Sequence, residues 1–203
     1  TFLEPFNPRQ GENFEPVPGF HEGSAWNYTF YVPHDVMGLA QLMGGKKAFV
    51  TKLQKVFDEG LYDPANEPDI AYAYLFSYFK GEEWRTQKTV HELLEKYYTT
   101  RPNGLPGNDD TGTMSAWAIF SMMGFYPDCP GKAEYTLTSP RFDRIEIKLA
   151  PEYCEGENKL VIKCSRTGGE GWKKIGSVKL SGKTLPSLRV SHKDLVKGGL
   201  LEF

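Results

Sequence analysis

Three side chains bearing oxygen, Asn108, Asp109 and Asp110, stand in succession at the mouth of an apolar run in GLPGNDDTGTMSAWAIFSMMGFY, residues 104–126. At a helix start, unpaired backbone N–H groups and the positive end of the dipole favour the ionised form of an acid. The aspartate pair therefore suits a base or a hard-metal ligand and does not suit a proton donor. A lone Asp would be an ordinary N-cap. Three such residues in a row before a helix that must be buried exceed what one cap requires.

Two further loops carry acids ahead of apolar segments. Glu22 lies between Phe20 and the aromatic run Trp26, Tyr28, Phe30, Tyr31. An acid among rings loses solvation, which favours its neutral form and fits a proton donor; a carboxylate in a helix's first turn is the plainer alternative. Glu67, in Asn66-Glu67-Pro68-Asp69, opens the next apolar segment with Pro in its first turn, where capping would also explain it. His34 with Asp35 reads as a helix-start pair or as plain capping. Acidic loops at several helix starts would gather at one end of a helical ring. A neutral acid facing an ionised base across a pocket is the machinery of glycoside hydrolysis, their separation setting the stereochemistry.

The elements that must carry these loops follow from periodicity. Residues 1–20 are too rich in Pro, Gly and Asn for a long helix or strand. Residues 36–43 read as a short helix closed by Gly44 and Gly45, with Pro33 suited to its first turn. The stretch 46–59 places Phe49, Val50, Leu53, Val56 and Phe57 on one face and ends at Gly60. Residues 70–79 are apolar all round and read as a buried helix, 84–99 is two-faced, and 114–125 is again apolar on nearly every side. Helices that alternate between one wetted face and none are what paired rings require, so residues 1–127 read as half of an (α/α)6 toroid. Past Pro127, the runs AEYTLTS, DRIEIKL, KLVIKCS and GSVKLSG alternate between turn residues, which predicts antiparallel strands over 128–203. The expected fold is mainly α with a β appendage. Gly168, Gly169 and Gly171 read as a hairpin turn, far from any nucleotide site.

Composition bounds the function. With 203 residues, 39% of them hydrophobic, the chain can bury a real core, and a net charge of -2 with no basic run argues against nucleic acid. No apolar run approaches the length of a membrane span. Aromatics at 14% suit both sugar binding and a large core. Cys129, Cys154 and Cys164 show no CxxC spacing, leaving room for one bridge between Cys154 and Cys164; the four His are scattered, so oxygen ligands are the metal set to expect.

HEGSAWNYTFYVPHDVMGLAQLMGG, NEPDIAYAYLFSY and GLPGNDDTGTMSAWAIFSMMGFYPDCPG, followed by EYTLTSPRFDRIEI, closely resemble the C-terminal part of the glycoside hydrolase family 92 α-mannosidases, in order and over nearly the whole chain. The resemblance implies a calcium-dependent, inverting exo-α-mannosidase, of α-1,2 type, that removes terminal mannose in N-glycan degradation. It implies an N-terminal β-sandwich and a first half-toroid beyond this sequence, with residues 128–203 packing on that sandwich. By motif, Glu22 resembles the general acid and Asp109 and Asp110 the general base, the choice between them open. Trp26, His34 and Glu67 resemble substrate contacts, and Asn66, Glu67 and Asn108 a calcium set. Family members often carry a His pair after NEP, where Asp69, Ile70 and Ala71 stand here. Relatives that act on mannose phosphates lack the acid, so the presence of Glu22 favours an ordinary glycoside. A mannose-containing glycan is the implied partner, and a secreted, periplasmic or cell-surface location follows from that substrate class. The contrasting expectation is a carbohydrate-binding or structural piece without turnover.

Overall fold

The computed structural model describes residues 7–11, 15, 19–154, 156–165 and 174–203. Two compact units divide it, Thr1–Tyr72 and Ala73–Phe203.

In the first unit, α1 (Ala25–Tyr28), α2 (Val36–Leu42) and α3 (Lys46–Asp58) follow one another. Asp35 caps α2, its Oδ1 accepting from the Gly38 amide at 2.8 Å, so Pro33 lies ahead of the cap and not in the first turn. On α3, Phe49, Val50, Leu53 and Val56 are buried, as their spacing dictates, and Gly60 at φ 66° reverses the chain where other residues would be strained. Phe30 packs edge-on against Phe49 (centroids 5.0 Å apart) and against Tyr72 (5.3 Å), closing a small aromatic core.

The segment expected to be a buried α-helix over residues 70–79 is buried but is not α. It forms two 3-10 pieces, Glu67–Asp69 and Tyr72–Tyr78. Tyrosine hydroxyls tie this backbone to separate anchors: Tyr72 Oη donates to the Asn27 carbonyl (2.6 Å) and accepts from the Phe30 amide (3.0 Å), and Tyr74 Oη bonds Ser121 Oγ (2.6 Å). Aromatic residues are only moderate helix formers, and tighter turns satisfy these tethers.

In the second unit, α4 (Glu83–Tyr97) buries Val90, Leu93 and Leu94. Helix α5 (Thr113–Met123) buries Met114, Trp117, Ala118 and Ser121 but leaves Ile119 57% exposed, so one face is open despite its apolar composition. Trp117 stacks on Tyr98 (5.4 Å), and Tyr74 on Tyr126 (4.8 Å). The strands are β1 (Phe125–Tyr126), β2 (Glu134–Leu137), β3 (Arg144–Lys148), β4 (Lys159–Lys163), β5 (Lys179–Leu180), β6 (Lys183–Thr184), β7 (Arg189–Ser191) and β8 (Gly199–Glu202), with the one-turn α6 (His192–Leu195) before the last. They form two sheets, ordered β1-β2-β7 and β3-β4-β8-β5-β6. The first is antiparallel throughout, but β4 pairs with β8 in parallel, which alters the wholly antiparallel expectation. The reason is topological, since β8 arrives after a long connection and not through a hairpin. Alternation along β4 turns Leu160 and Ile162 inward to a core shared with Leu137, Val190 and Leu201.

All three cysteines are free, so the Cys154 to Cys164 bridge for which the sequence leaves room is not formed: Cys164 is buried just past β4, and Cys154 is partly exposed. The glycine turn at Gly168, Gly169 and Gly171 lies outside the described residues.

Trp117→Ala should destabilise the second unit by about 3–5 kcal/mol through the cavity it leaves. Tyr74→Phe should cost about 1–2 kcal/mol by orphaning the Ser121 hydroxyl. Urea unfolding followed by far-UV circular dichroism checks both.

Candidate functional site

The first unit brings Glu22, Trp26, Asn66 and Glu67 onto adjoining turns. Glu22 adopts φ 53°, a left-handed conformation costly for a side-chain-bearing residue and one that marks functional turns. Asn66 Nδ2 donates to the Glu22 carbonyl and so holds the turn from behind. Gly23 next to it is closely packed, since a Cβ there would meet Asn66 Nδ2 at 3.0 Å and Asn27 Oδ1 at 3.1 Å and push those side chains back by a few tenths of an ångström. The Glu22 side chain is 57% exposed beside His21 (3.5 Å). This corrects the expectation that neighbouring rings strip its solvation: the left-handed turn points the carboxyl outward while the rings of Phe30 and Tyr72 pack inward.

Beneath that turn runs a buried polar chain. Asn27 Oδ1 accepts from the Ser24 amide (2.7 Å) and hydroxyl (2.9 Å), and Asn27 Nδ2 donates to Asp69 Oδ2 (2.8 Å). The same Asp69 oxygen accepts from the Asp63 amide (2.7 Å). Asp69 is fully buried, and its Oδ1 has no partner among the described residues. Burial pushes its carboxyl up to about 8, against the lowering effect of the Asp63 amide and Asn27; repulsion from Asp63 adds to the rise. Sequence reasoning assigned no role to Asn27 or Asp69. The available signal was a polar residue set against apolar and aromatic neighbours, in AWNY and PDIAYAY.

The remaining candidates of this unit are plainer. Trp26 is half-buried, and Lys52 and Lys55 lie over its ring at 5.5 and 5.3 Å, so its face is already in use. His34 and Glu67 are exposed, and Asn66 is buried.

Asn108, Asp109 and Asp110 belong to the second unit. Asp109 performs a cap: its Oδ1 accepts from the Ser115 amide (2.8 Å) and its Oδ2 from the Ser115 hydroxyl (2.9 Å). The chain between passes through Asp110 (φ 45°), Thr111 (φ 62°) and Gly112 (φ 89°), three left-handed residues in succession. Helix α5 thus begins beyond the aspartates and not at them. Asp110 and Asn108 are exposed. Tyr98 lies close enough to feel Asp109, and burial first, then that charge, raises its hydroxyl to about 12.

Among the described residues, no three His, Cys, Asp or Glu side chains converge to hold a metal. The calcium set of Asn66, Glu67 and Asn108 is all oxygen, the chemistry of a hard cation, but it is smaller than the roughly six to eight ligands calcium takes. Part of the aromatic excess goes to the interior, where Phe30, Phe49, Tyr72, Tyr74, Phe76 and Trp117 are fully buried.

The Asp69 carboxyl has a measurable signature. A group whose folded value is raised from 3.8 to about 8 contributes stability in full below the unfolded value, and that contribution is lost as pH rises toward about 8. Asp69→Asn mimics the neutral carboxyl. Thermal melts from pH 4 to 9 should therefore show wild type losing stability relative to this variant across that window; parallel curves would disprove it.

The sequence model described as "Glycosyl hydrolase family 92 catalytic domain" matches residues 1–203. A protein of Arthroderma benhamiae described as an uncharacterized secreted glycosidase is 30% identical over 182 residues, covering 90% of this chain and 23% of that protein. In fold, the chain is similar to the family GH92 α-mannosidase BT3965 of Bacteroides thetaiotaomicron in complex with mannoimidazole (TM-score 0.86, 28% identity, 99% of this chain and 28% of that one). It is similar also to the inverting mannosidase BT2199 of the same organism (TM-score 0.82, 28% identity, 100% and 29%). The chain thus spans about a quarter of the length of these relatives. A match along the entire sequence, with acid-bearing turns lying inside it, makes this chain a member of glycosyl hydrolase family 92.

Proposed function

We propose that the chain forms part of a secreted or cell-surface exo-α-mannosidase that removes terminal mannose from glycans, α-1,2-linked mannose first among them, with inversion of configuration. Its helices would contribute to an (α/α)6 toroid. The observation that carries this reading is that the acid-bearing turns lie within the stretch matched to the family's catalytic domain. Likeness to mannosidases, one of them described as inverting, supports the substrate and the outcome.

In this reading, the carboxylic acid of Glu22 gives its proton to the glycosidic oxygen as the bond from that oxygen to C1 breaks. Asp110 takes a proton from a water whose oxygen bonds C1 on the opposite face, which yields β-mannose and a free alcohol. Asp110 is chosen over Asp109 because both Asp109 oxygens are bound to Ser115, whereas Asp110 is exposed on a strained turn of the kind found at functional sites. Asp109 then holds the turn in shape. Calcium is part of the proposal, with Asn66, Glu67 and Asn108 as oxygen donors. When bound, it would grip sugar hydroxyls; no proton transfer above depends on it.

Glu22→Gln should slow release of mannose from a natural disaccharide by roughly 10²–10⁴-fold, the usual contribution of a general acid, and affect an aryl mannoside with a good leaving group far less. Asp110→Asn should slow both alike, and proton NMR of the wild-type reaction should show β-mannose first. Equal losses for Glu22→Gln on both substrates would remove Glu22 from the acid role. Chelation with EGTA should abolish turnover, and added calcium, but not sodium, should restore it; activity that survives exhaustive chelation would sink the calcium assignment.

A further inference from the structure

Resting on the assignment of Glu22 as the acid, we infer that Asp69 and Asn27 are positioning residues that set the acid's placement through a buried hydrogen-bond chain. The chain runs from the Asp63 amide to Asp69 Oδ2, from Asn27 Nδ2 to that same oxygen, and from the Ser24 amide and hydroxyl to Asn27 Oδ1. Every link is between 2.7 and 2.9 Å, and Ser24, Asn27 and Asp69 are all buried. Ser24 is two residues from Glu22, and Gly23 between them packs against Asn27 Oδ1 and Asn66 Nδ2, so a shift of Asn27 must displace the turn. Asn66 Nδ2 on the Glu22 carbonyl gives the turn its second support. Both supports come from residues 66–69, the stretch that also carries Glu67. The arrangement therefore locks the acid's turn to a second candidate loop of the site, forty-odd residues away in sequence.

Function follows from precision. A catalytic group displaced by about 1 Å can lose on the order of 10²-fold in rate. Here no atom of Asp69 or Asn27 needs to touch the sugar.

Breaking the link in one variant and conserving it in another supplies the test, made in the full-length gene product. Asn27→Leu keeps the bulk and removes both the donor to Asp69 and the acceptor for Ser24. Asp69→Asn keeps the link: its amide oxygen, set in the place of Oδ2, accepts from both Asn27 Nδ2 and the Asp63 amide, as the carboxyl oxygen does. Asn27→Leu should lose on the order of 10–100-fold in kcat on a natural mannose disaccharide, a misplaced-acid penalty, with KM moved little and the activated aryl mannoside impaired at most a few-fold. Asp69→Asn should retain most of the wild-type rate. Should Asn27→Leu fail to fold, Ser24→Ala must show the same selectivity for the poor leaving group. Equal losses on the two substrates, or Asp69→Asn as impaired as Asn27→Leu, would overturn the inference. Glu22→Gln is run alongside: if it shows no leaving-group dependence, the assignment of the acid fails instead, and the two failures are told apart.

Discussion

A carboxyl group sealed from water is the constraint on which the first unit turns. Placing Asp69 at zero exposure costs several kcal/mol unless donors replace the lost hydration. Two donors converge on a single oxygen, one from the backbone and one from Asn27, and the other oxygen goes without a partner among the described residues. A neutral carboxyl tolerates that asymmetry better than a charged one, which is why burial dominates its proton affinity. The fold tolerates the burial because each donor belongs to a different turn. Asp63 anchors the loop before the 3-10 pieces, and Asn27 anchors α1 and, through Ser24, the approach to Glu22. An apolar pair of equal volume could fill the space, but it could not dictate which turn meets which.

The second unit solves a comparable problem by different means. Between Asp109 and α5, the chain holds three successive residues in left-handed backbone, two of them bearing side chains, at about 1–3 kcal/mol each. Such a turn persists only when its ends are fixed. One end is held by the two hydrogen bonds that Asp109 accepts from Ser115, the other by α5 itself, anchored through the Trp117 stack on Tyr98 and the Tyr74 hydroxyl on Ser121. Gly104 belongs to the same support, since a Cβ there would lie 2.1 Å from the Thr99 carbonyl oxygen. Part of the aromatic content, Trp117, Tyr98 and Tyr74, is thus the clamp that anchors the helix following an acid-bearing turn.

What can be read in the sequence and what cannot divide along the range of the interactions. Helices α3 and α4 are legible because a face of Phe49, Val50, Leu53 and Val56, or of Val90, Leu93 and Leu94, is a local pattern. The alternating strands β2 to β4 are legible for the same reason. The segment after Pro68 reads correctly as apolar and buried, but its 3-10 form depends on where the tyrosine hydroxyls are tethered, which periodicity does not encode. The parallel pairing of β4 with β8 is likewise set by a distant connection. Of the site, the identities of the acids are visible, together with the family they resemble. The exposure of Glu22 and the service of Asn27 and Asp69 are not, since they follow from one backbone dihedral and from contacts 42 residues apart.

Asp109 and Asp110 show how adjacent residues of one type come to differ. Sequence treats them as interchangeable carboxylates at a helix start, and the dipole would act on both. Geometry separates them, because consecutive side chains leave a left-handed turn in different directions and only one can reach back to the amide of Ser115. The one that reaches back has its lone pairs occupied and its position fixed. The one that does not keeps its oxygens available on a strained backbone, and that strain is stable only while its neighbour holds the cap. The geometry of this turn is as much the product of Asp109 as of Asp110: the capping residue supplies the rigidity, and the exposed residue supplies an available acceptor.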